Sequence, residues 1–141
     1  MNPFVLLFGF SGRINRAKFW LAALIYCVFF FAVIGIAMAL SSSMNAVFGA
    51  AIVAYIPLIV SGLAVGIKRL HDRNKSAWWL ILFWIVPGML SGGGSAMGET
   101  AGLIPNLAAA ALSLWGLVEI GFLRGASGPN NYGPDPLPPE T

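Results

Sequence analysis

Phe19-Trp20-Leu21-Ala22-Ala23-Leu24-Ile25-Tyr26-Cys27-Val28-Phe29-Phe30-Phe31-Ala32-Val33-Ile34-Gly35-Ile36-Ala37-Met38-Ala39-Leu40 contains no charged side chain. As a helix rising ~1.5 Å per residue it covers roughly 30 Å, the thickness of a bilayer's hydrocarbon core. Such a run reads as a membrane-spanning helix. A short polar break follows, with Ser41, Ser42, Ser43 and Asn45. Residues 46–67 form a second apolar run that only Pro57 interrupts. Proline is tolerated inside a membrane helix and is expected to kink it.

Beyond that run lies the charged block Lys68-Arg69-Leu70-His71-Asp72-Arg73-Asn74-Lys75. A third helix is expected over about 77–94, with Ser76 as its cap. It contains Pro87-Gly88 and is barely long enough for a ~30 Å core. A re-entrant segment is the alternative. Residues 92–100, opening with Gly92-Gly93-Gly94, read as a flexible loop. The fourth run is 103–123, with Pro105 in its first turn. Arg124 and Gly125 read as its ending, a cation at the negative helix end and then a C-cap glycine.

Composition agrees. The chain has 141 residues, 58% apolar and only 9% charged. Soluble domains average about 25% charged residues, so a water-facing surface cannot be built from this chain. The net charge is +3. The pI near 9.4 is not read as nucleic-acid binding, because the cations sit beside apolar runs where topology accounts for them. The lone Cys27 is read as a packing residue, and His71 has no companion ligands. No metal and no cofactor are expected. A cleavable signal peptide is not expected either, since Arg13, Arg16 and Lys18 follow the apolar stretch 4–10 rather than precede it. Residues 1–12 are read as an interfacial segment.

Cationic loops stay in the cytosol. Arg13, Arg16 and Lys18 precede the first helix, four cations lie at 68–75, and Arg124 ends the last helix. Four spans place all eight on one side, with both termini cytosolic. A three-span chain would misplace only Arg124. The expected fold is therefore an all-α integral membrane bundle of four helices (about 19–40, 46–67, 77–94 and 103–123). Residues 1–124 form the membrane domain, and 125–141 a cytosolic, irregular, partly mobile Gly/Pro-rich tail. Gly62 with Gly66, Gly35 with Ala39, and Ala109 with Ser113 are small-residue pairs suited to close helix packing.

Three polar segments converge on the cytosolic side. They are Phe10-Ser11-Gly12-Arg13-Ile14-Asn15-Arg16-Ala17-Lys18-Phe19-Trp20, the block from Lys68 through Ser76-Ala77-Trp78-Trp79, and Gly128-Pro129-Asn130-Asn131-Tyr132-Gly133-Pro134-Asp135-Pro136. With these residues the chain resembles the DUF805 family of small bacterial inner-membrane proteins. The shared pattern is F-x-G-R-x-x-R-x-x-F-W, then R-L-H-D-x-x-x-S-x-W-W, then G-P-N-x-Y-G-x-D-P, spread over nearly the whole chain. Ala77 replaces the family's usual glycine, and Asn131 stands where a basic residue is common. The resemblance implies a multi-pass protein of the bacterial inner membrane and supplies no activity.

Read physically, Arg13, Arg16, Arg69, His71, Arg73, Trp78 and Trp79 are candidates for binding an anionic lipid headgroup or an acidic protein segment. If the second block continues the second helix, Lys68, Asp72 and Lys75 share a face with His71, and Asp72 reaches Lys68 and Arg69. The competing reading is that the cations set topology and that Trp20, Trp78, Trp79 and Tyr132 anchor depth. Glu119 is the acidic residue inside an apolar run, ~7 Å from Arg124 along a helix. An ion pair with Arg13 or Arg69 is expected there, with an ion site as the alternative. Asn130, Tyr132 and Asp135 mark the tail motif. No nucleophile–base pair is visible, and adjacent His71 and Asp72 diverge on a helix. A non-enzymatic lipid- or protein-binding role leads. A transporter or channel subunit acting as a homo-oligomer comes second, and a membrane enzyme a distant third.

Overall fold

The computed structural model describes residues 2–137. Met1 of the N-terminal segment and residues 138–141 of the tail lie outside them. Helices are the only regular elements among the described residues, without a strand.

Helix α1 (Pro3–Phe8) starts where the Asn2 side chain accepts the Phe4 N–H at 2.9 Å. Helix α2 (Arg16–Leu40) is capped by Asn15, whose side chain accepts the Lys18 N–H at 3.0 Å. Both are Asx N-caps, which satisfy a donor that the first helical turn otherwise orphans. Helix α3 (Met44–Asp72) runs continuously through Pro57 and into the charged block. It therefore ends five residues beyond the expected boundary at 67. Asn74 stops it in the left-handed region, at φ 56°. The Lys75 N–H returns to the Leu70 carbonyl at 2.9 Å and the Asn74 N–H to that of His71 at 2.9 Å, which is a Schellman ending.

Residues 77–80 do not start the next helix at a Ser76 cap. They form tight turns in which Trp79 N–H bonds to the Ser76 carbonyl at 3.3 Å and Leu80 N–H to that of Ala77 at 3.0 Å. Helix α4 (Ile81–Ala96) opens with a π turn, Ile81–Ile85, and then continues as α-helix over Val86–Ala96. The wide turn directly precedes Pro87, where the hydrogen-bond ladder loses an N–H. Gly92-Gly93-Gly94 is helical, as the expected helix to 94 has it and unlike the loop reading of 92–100, and the helix runs on to Ala96. Helix α5 (Leu103–Phe122) closes with a second π turn, Val118–Phe122. Its C-cap is Leu123 in extended conformation, so Gly125 does not end it.

Helices α2, α3 and α5 are long and apolar enough to cross a membrane, and α4 is shorter. Their outward faces are apolar: Leu24, Phe31, Ile36, Leu40, Ile52 and Ile104 are all exposed. Water does not tolerate that much contiguous apolar surface, and lipid does.

The helices form two antiparallel hairpins, α2 along α3 and α4 along α5. The hairpins meet at one end only, where the π turn of α5 touches α2 and α3. Two small apolar cores sit there. One joins Leu6, Ile14, Ala22 and Val65, the other Leu70, Leu80, Phe83 and Ile120, and Phe19 packs against both. Gly62 and Gly66 do not admit a neighbouring backbone. They leave room for the Trp84 ring and the Leu80 side chain, which a Cβ would approach at 3.2 and 3.0 Å. Gly35 has nothing within 4 Å, so its pairing with Ala39 serves no packing inside the chain. Ala109 is buried and Ser113 exposed.

The tail is not a separate mobile unit through residue 137. It lies against the ends of α3 and α5, and its turn closes by paired bonds between Asn130 and Gly133 at 3.0 and 3.2 Å.

Gly116 receives the Phe83 ring, and a Cβ there would stand 2.8 Å from the Phe83 Cβ. Gly116→Ala is expected to cost ~1–3 kcal/mol, as overpacking does. Gly35→Ala is expected to be neutral. Thermal unfolding in detergent, followed by circular dichroism, compares the two.

Candidate functional site

A helix leaves its last four carbonyls without intrahelical partners. At the end of α5 the structure supplies them from side chains of other helices. Arg69 donates from Nε to the Ile120 carbonyl at 2.8 Å and from NH2 to that of Leu123. Trp20 Nε1 donates to Gly121 at 3.0 Å, and Arg16 NH1 to Phe122 at 3.0 Å. Arg73 NH1 donates to Arg124 at 2.5 Å. Carbonyls 120–124 are thus each taken by a donor from α2 or the end of α3. Guanidinium groups suit the task, since they carry up to five N–H donors and place positive charge at the negative helix end.

Arg13 does the same for the tail. Its NH1 donates to the carbonyls of Gly128 at 2.6 Å and Gly133 at 3.2 Å, and its NH2 to that of Ala126 at 2.5 Å. Gly128 and Gly133 reach this arrangement at φ 74° and 132°, where a side chain would be strained.

Two buried arginines need a counter-charge, and Asp72 is placed between them. Its Oδ1 accepts from Arg13 Nε at 3.1 Å, and its Oδ2 from Arg69 NH1 at 2.5 Å. All three side chains are almost fully buried. The Asp72 backbone carbonyl also accepts the Ala126 N–H at 2.7 Å. Gly125 crosses directly over the carboxylate, where any Cβ would overlap Asp72 Oδ2. That close approach is the reason for glycine at 125.

His71 joins the same assembly. Its Nδ1 lies 3.3 Å from the Gly12 carbonyl, an acceptor only, so Nδ1 carries the proton. The Tyr132 ring stacks on it with centroids 3.9 Å apart and planes within 5°. Asn130 Nδ2 donates to the His71 carbonyl at 2.8 Å. Asp135 closes the tail by accepting the N–H groups of Leu137 at 2.9 Å and Gly128 at 2.7 Å, which hold its carboxyl below the usual carboxylate range.

Lys68 points away from Asp72, contrary to the shared-face expectation. Its Nζ donates to the carbonyls of Val5 at 2.7 Å and Leu6 at 2.5 Å, at the end of α1. Ser61, two helical turns earlier, donates to Leu7 at 2.7 Å and receives the Tyr26 hydroxyl at 2.8 Å. These three residues clasp α1 to the bundle. The seven-residue spacing of Ser61 and Lys68 was the available signal. Because α3 ends at Asp72, Lys75 leaves the helix and its Nζ stands 4.0 Å from the Trp79 ring centre.

Glu119 sits in the π turn and pairs with Arg73 Nε at 3.0 Å and Lys75 Nζ at 3.6 Å. An ion pair is present as expected, with different partners from Arg13 or Arg69. Every buried side-chain nitrogen and oxygen among the described residues has a partner. Among those residues no three of His, Cys, Asp and Glu converge.

This geometry corrects the list of anion-binding candidates. Arg13 and Arg69 are turned inward and their donors are spent on carbonyls and Asp72, so neither presents charge to a headgroup. Arg73 is half committed to Glu119, and His71 to Tyr132 and Gly12. Trp79 packs against Phe83 and Trp115, while Trp78 is 76% exposed. Arg16 remains exposed and lines an open cleft of about 430 Å³ with Asn15, Ala17, Trp20, Gly121 and Phe122.

Apolar helices whose ends are closed by buried arginines define a small polytopic membrane protein. The family model for a protein of unknown function, DUF805, matches residues 7–134, and the chain belongs to that family. It is similar to the uncharacterized protein YiiR of Escherichia coli K12, 31% identical over 131 residues, which cover 92% of this chain and 86% of YiiR. It is also similar to the inner membrane protein YhaH of the same organism, 32% identical over 133 residues, covering 91% of this chain and 87% of YhaH. No solved structure matches. With its membrane-length helices, the chain is an inner-membrane protein.

Asp72→Asn would leave two buried guanidinium groups without a counter-charge, an effect of ~3–5 kcal/mol. A large drop in unfolding temperature in detergent is expected. Glu119→Gln, whose cationic partners are about a quarter exposed, is expected to cost far less.

Proposed function

We propose that the chain is a four-span, non-enzymatic membrane protein with both ends in the cytosol, and that its rim binds anionic phospholipid headgroups at the Arg16 cleft. The topology reading rests on where the cations gather. The N-terminal end of α2 and the C-terminal ends of α3 and α5 meet, and all eight cations lie in or beside those ends. Positive charge held on one side marks that side as cytosolic. The tight turns at 77–80 extend α4 toward a full crossing. A phosphatase active only when exported, fused at Thr141, is expected to be inactive, and the same enzyme inserted at Glu99 active. An active Thr141 fusion refutes the four-span arrangement.

The headgroup reading rests on one observation. Among the described residues Arg16 donates a single N–H, to the Phe122 carbonyl, and it lies at the edge of a cleft beside the exposed Trp20. Its remaining donors suit a phosphate bidentately. Tryptophan sits at headgroup depth in membranes, and the apolar floor of Ala17 and Phe122 receives the upper acyl chain. His71 and Asp72 are both occupied by structural contacts.

Native mass spectrometry from mixed-lipid nanodiscs tests this role. Arg16→Ala is expected to lower phosphatidylglycerol occupancy roughly tenfold, the loss of one charge-assisted hydrogen bond. Unchanged occupancy in a folded variant sinks the proposal.

A further inference from the structure

The two hairpins touch at one end and diverge toward the other. Between them lies a second, larger cleft of about 690 Å³. Its walls are Phe19 and Tyr26 of α2, Tyr55, Ile59 and Gly62 of α3, and Trp84 of α4. That volume falls within the range of small-molecule sites, ~300–1,000 Å³. Along α3 the lining runs from Tyr55 to Val65, ~15 Å at helical rise. The end nearest the arginines is closed, because Phe19 and Val65 belong to the cores packed there.

Three features of the walls restrict the occupant. No side chain in the lining is ionisable near neutral pH, so a charged group finds no partner and would be desolvated at a cost. The walls are aromatic on all three helices, which suits a flat or unsaturated body. The third feature is Tyr55. It lies ~17 Å from the start of α3 and ~26 Å from its end, away from the interfacial depth where tyrosines are usual. Its hydroxyl makes no hydrogen bond among the described residues. In hydrocarbon an unpaired phenol donor is costly, and no water is there to take it. Tyr26 differs, because its hydroxyl already donates to Ser61, which donates to Leu7.

We propose that this interhelical cleft binds an uncharged membrane lipid whose carbonyl oxygen accepts a hydrogen bond from Tyr55. The ligand enters laterally from the bilayer, lays its apolar body along Phe19, Ile59 and Trp84, and places its acceptor mid-membrane. Isoprenoid quinones carry this chemistry, a flat unsaturated apolar body with carbonyl acceptors and no charge. The site is separate from the Arg16 cleft and takes a different class of lipid.

The full chain, purified in a mild maltoside detergent, tests the assignment. Decylubiquinone, dioctanoylglycerol and dioctanoyl-phosphatidylglycerol serve as probes, with binding read by microscale thermophoresis. Decylubiquinone is expected to bind through the cleft, and dioctanoylglycerol, which is neither flat nor unsaturated, to bind at least about tenfold more weakly. Tyr55→Phe is expected to weaken that binding about tenfold, and Ile59→Trp, which fills an outward wall, to abolish it. Arg16→Ala is expected to leave neutral binding unchanged, and Tyr55→Phe to leave phosphatidylglycerol at the rim unchanged, so either reading can fail alone. The proposal is overturned if decylubiquinone does not bind, if dioctanoylglycerol binds as well as it does, or if a folded Tyr55→Phe binds decylubiquinone as wild type does. It is also overturned if Tyr55 proves to be covered by a second copy of the chain, as a dimer that Ile59→Trp dissolves.

Discussion

A carbonyl buried at the end of a helix must find a donor, and at the end of α5 several must find one at once. Water would serve in a soluble protein. At the edge of a bilayer the chain supplies its own donors, the guanidinium groups of Arg16, Arg69 and Arg73 and the indole of Trp20. The rest of the architecture follows from that choice. Two arginines drawn inward require Asp72 between them. Asp72 requires that the chain crossing above it have no side chain, hence Gly125. The tail must then lie where Arg13 can hold its carbonyls, which places the Asn130–Gly133 turn against His71, with the Tyr132 ring stacked on the imidazole. Polar groups concentrated in this way favour one arrangement over others, since each half-satisfied alternative leaves a charge or a donor stranded.

The same concentration explains the shape of the membrane-embedded part. Because the interactions that bind one hairpin to the other sit at one end, the remainder of each hairpin is free to lean away. Apolar helices gain little by touching one another when lipid tails are equally apolar. Between the hairpins, what holds them is side-chain insertion, as of Trp84 at Gly62 and Leu80 at Gly66, near the closed end. The open space between the hairpins is a consequence of where the polar contacts were placed.

Much of this was legible in the sequence, and the parts that were not have physical reasons. The apolar runs announced α2, α3 and α5, because length and hydropathy are properties of the segment alone. The three motifs marked the right end of the molecule. The roles within them were misjudged: Arg13 and Arg69 read as outward charges, because a cation beside an apolar run normally serves topology. Nothing local distinguishes an arginine that faces a phosphate from one that faces a carbonyl of a helix fifty residues away. Gly125 misled for the same reason. A glycine after a helical run suggests a left-handed cap, while its real constraint is the Asp72 carboxylate. The π turns at Ile81–Ile85 and Val118–Phe122 left no signal except Pro87. Ser61 and Lys68 were readable in principle, since a hydroxyl and an amine two turns apart on one helix face must have a common target.

Arg13 lies near the start of the chain, and the carbonyls it holds belong to residues 126, 128 and 133. A ribosome synthesises the donor first and its acceptors last. Until the tail is made, the Arg13 donors that later hold it lack those acceptors. Helices α2 to α5 can enter the bilayer one after another by hydropathy alone, but the closed end is completed only when the final segment leaves the exit tunnel. The tail therefore works as a latch on the timing of assembly. A chain interrupted before residue 126 leaves that end without its latch.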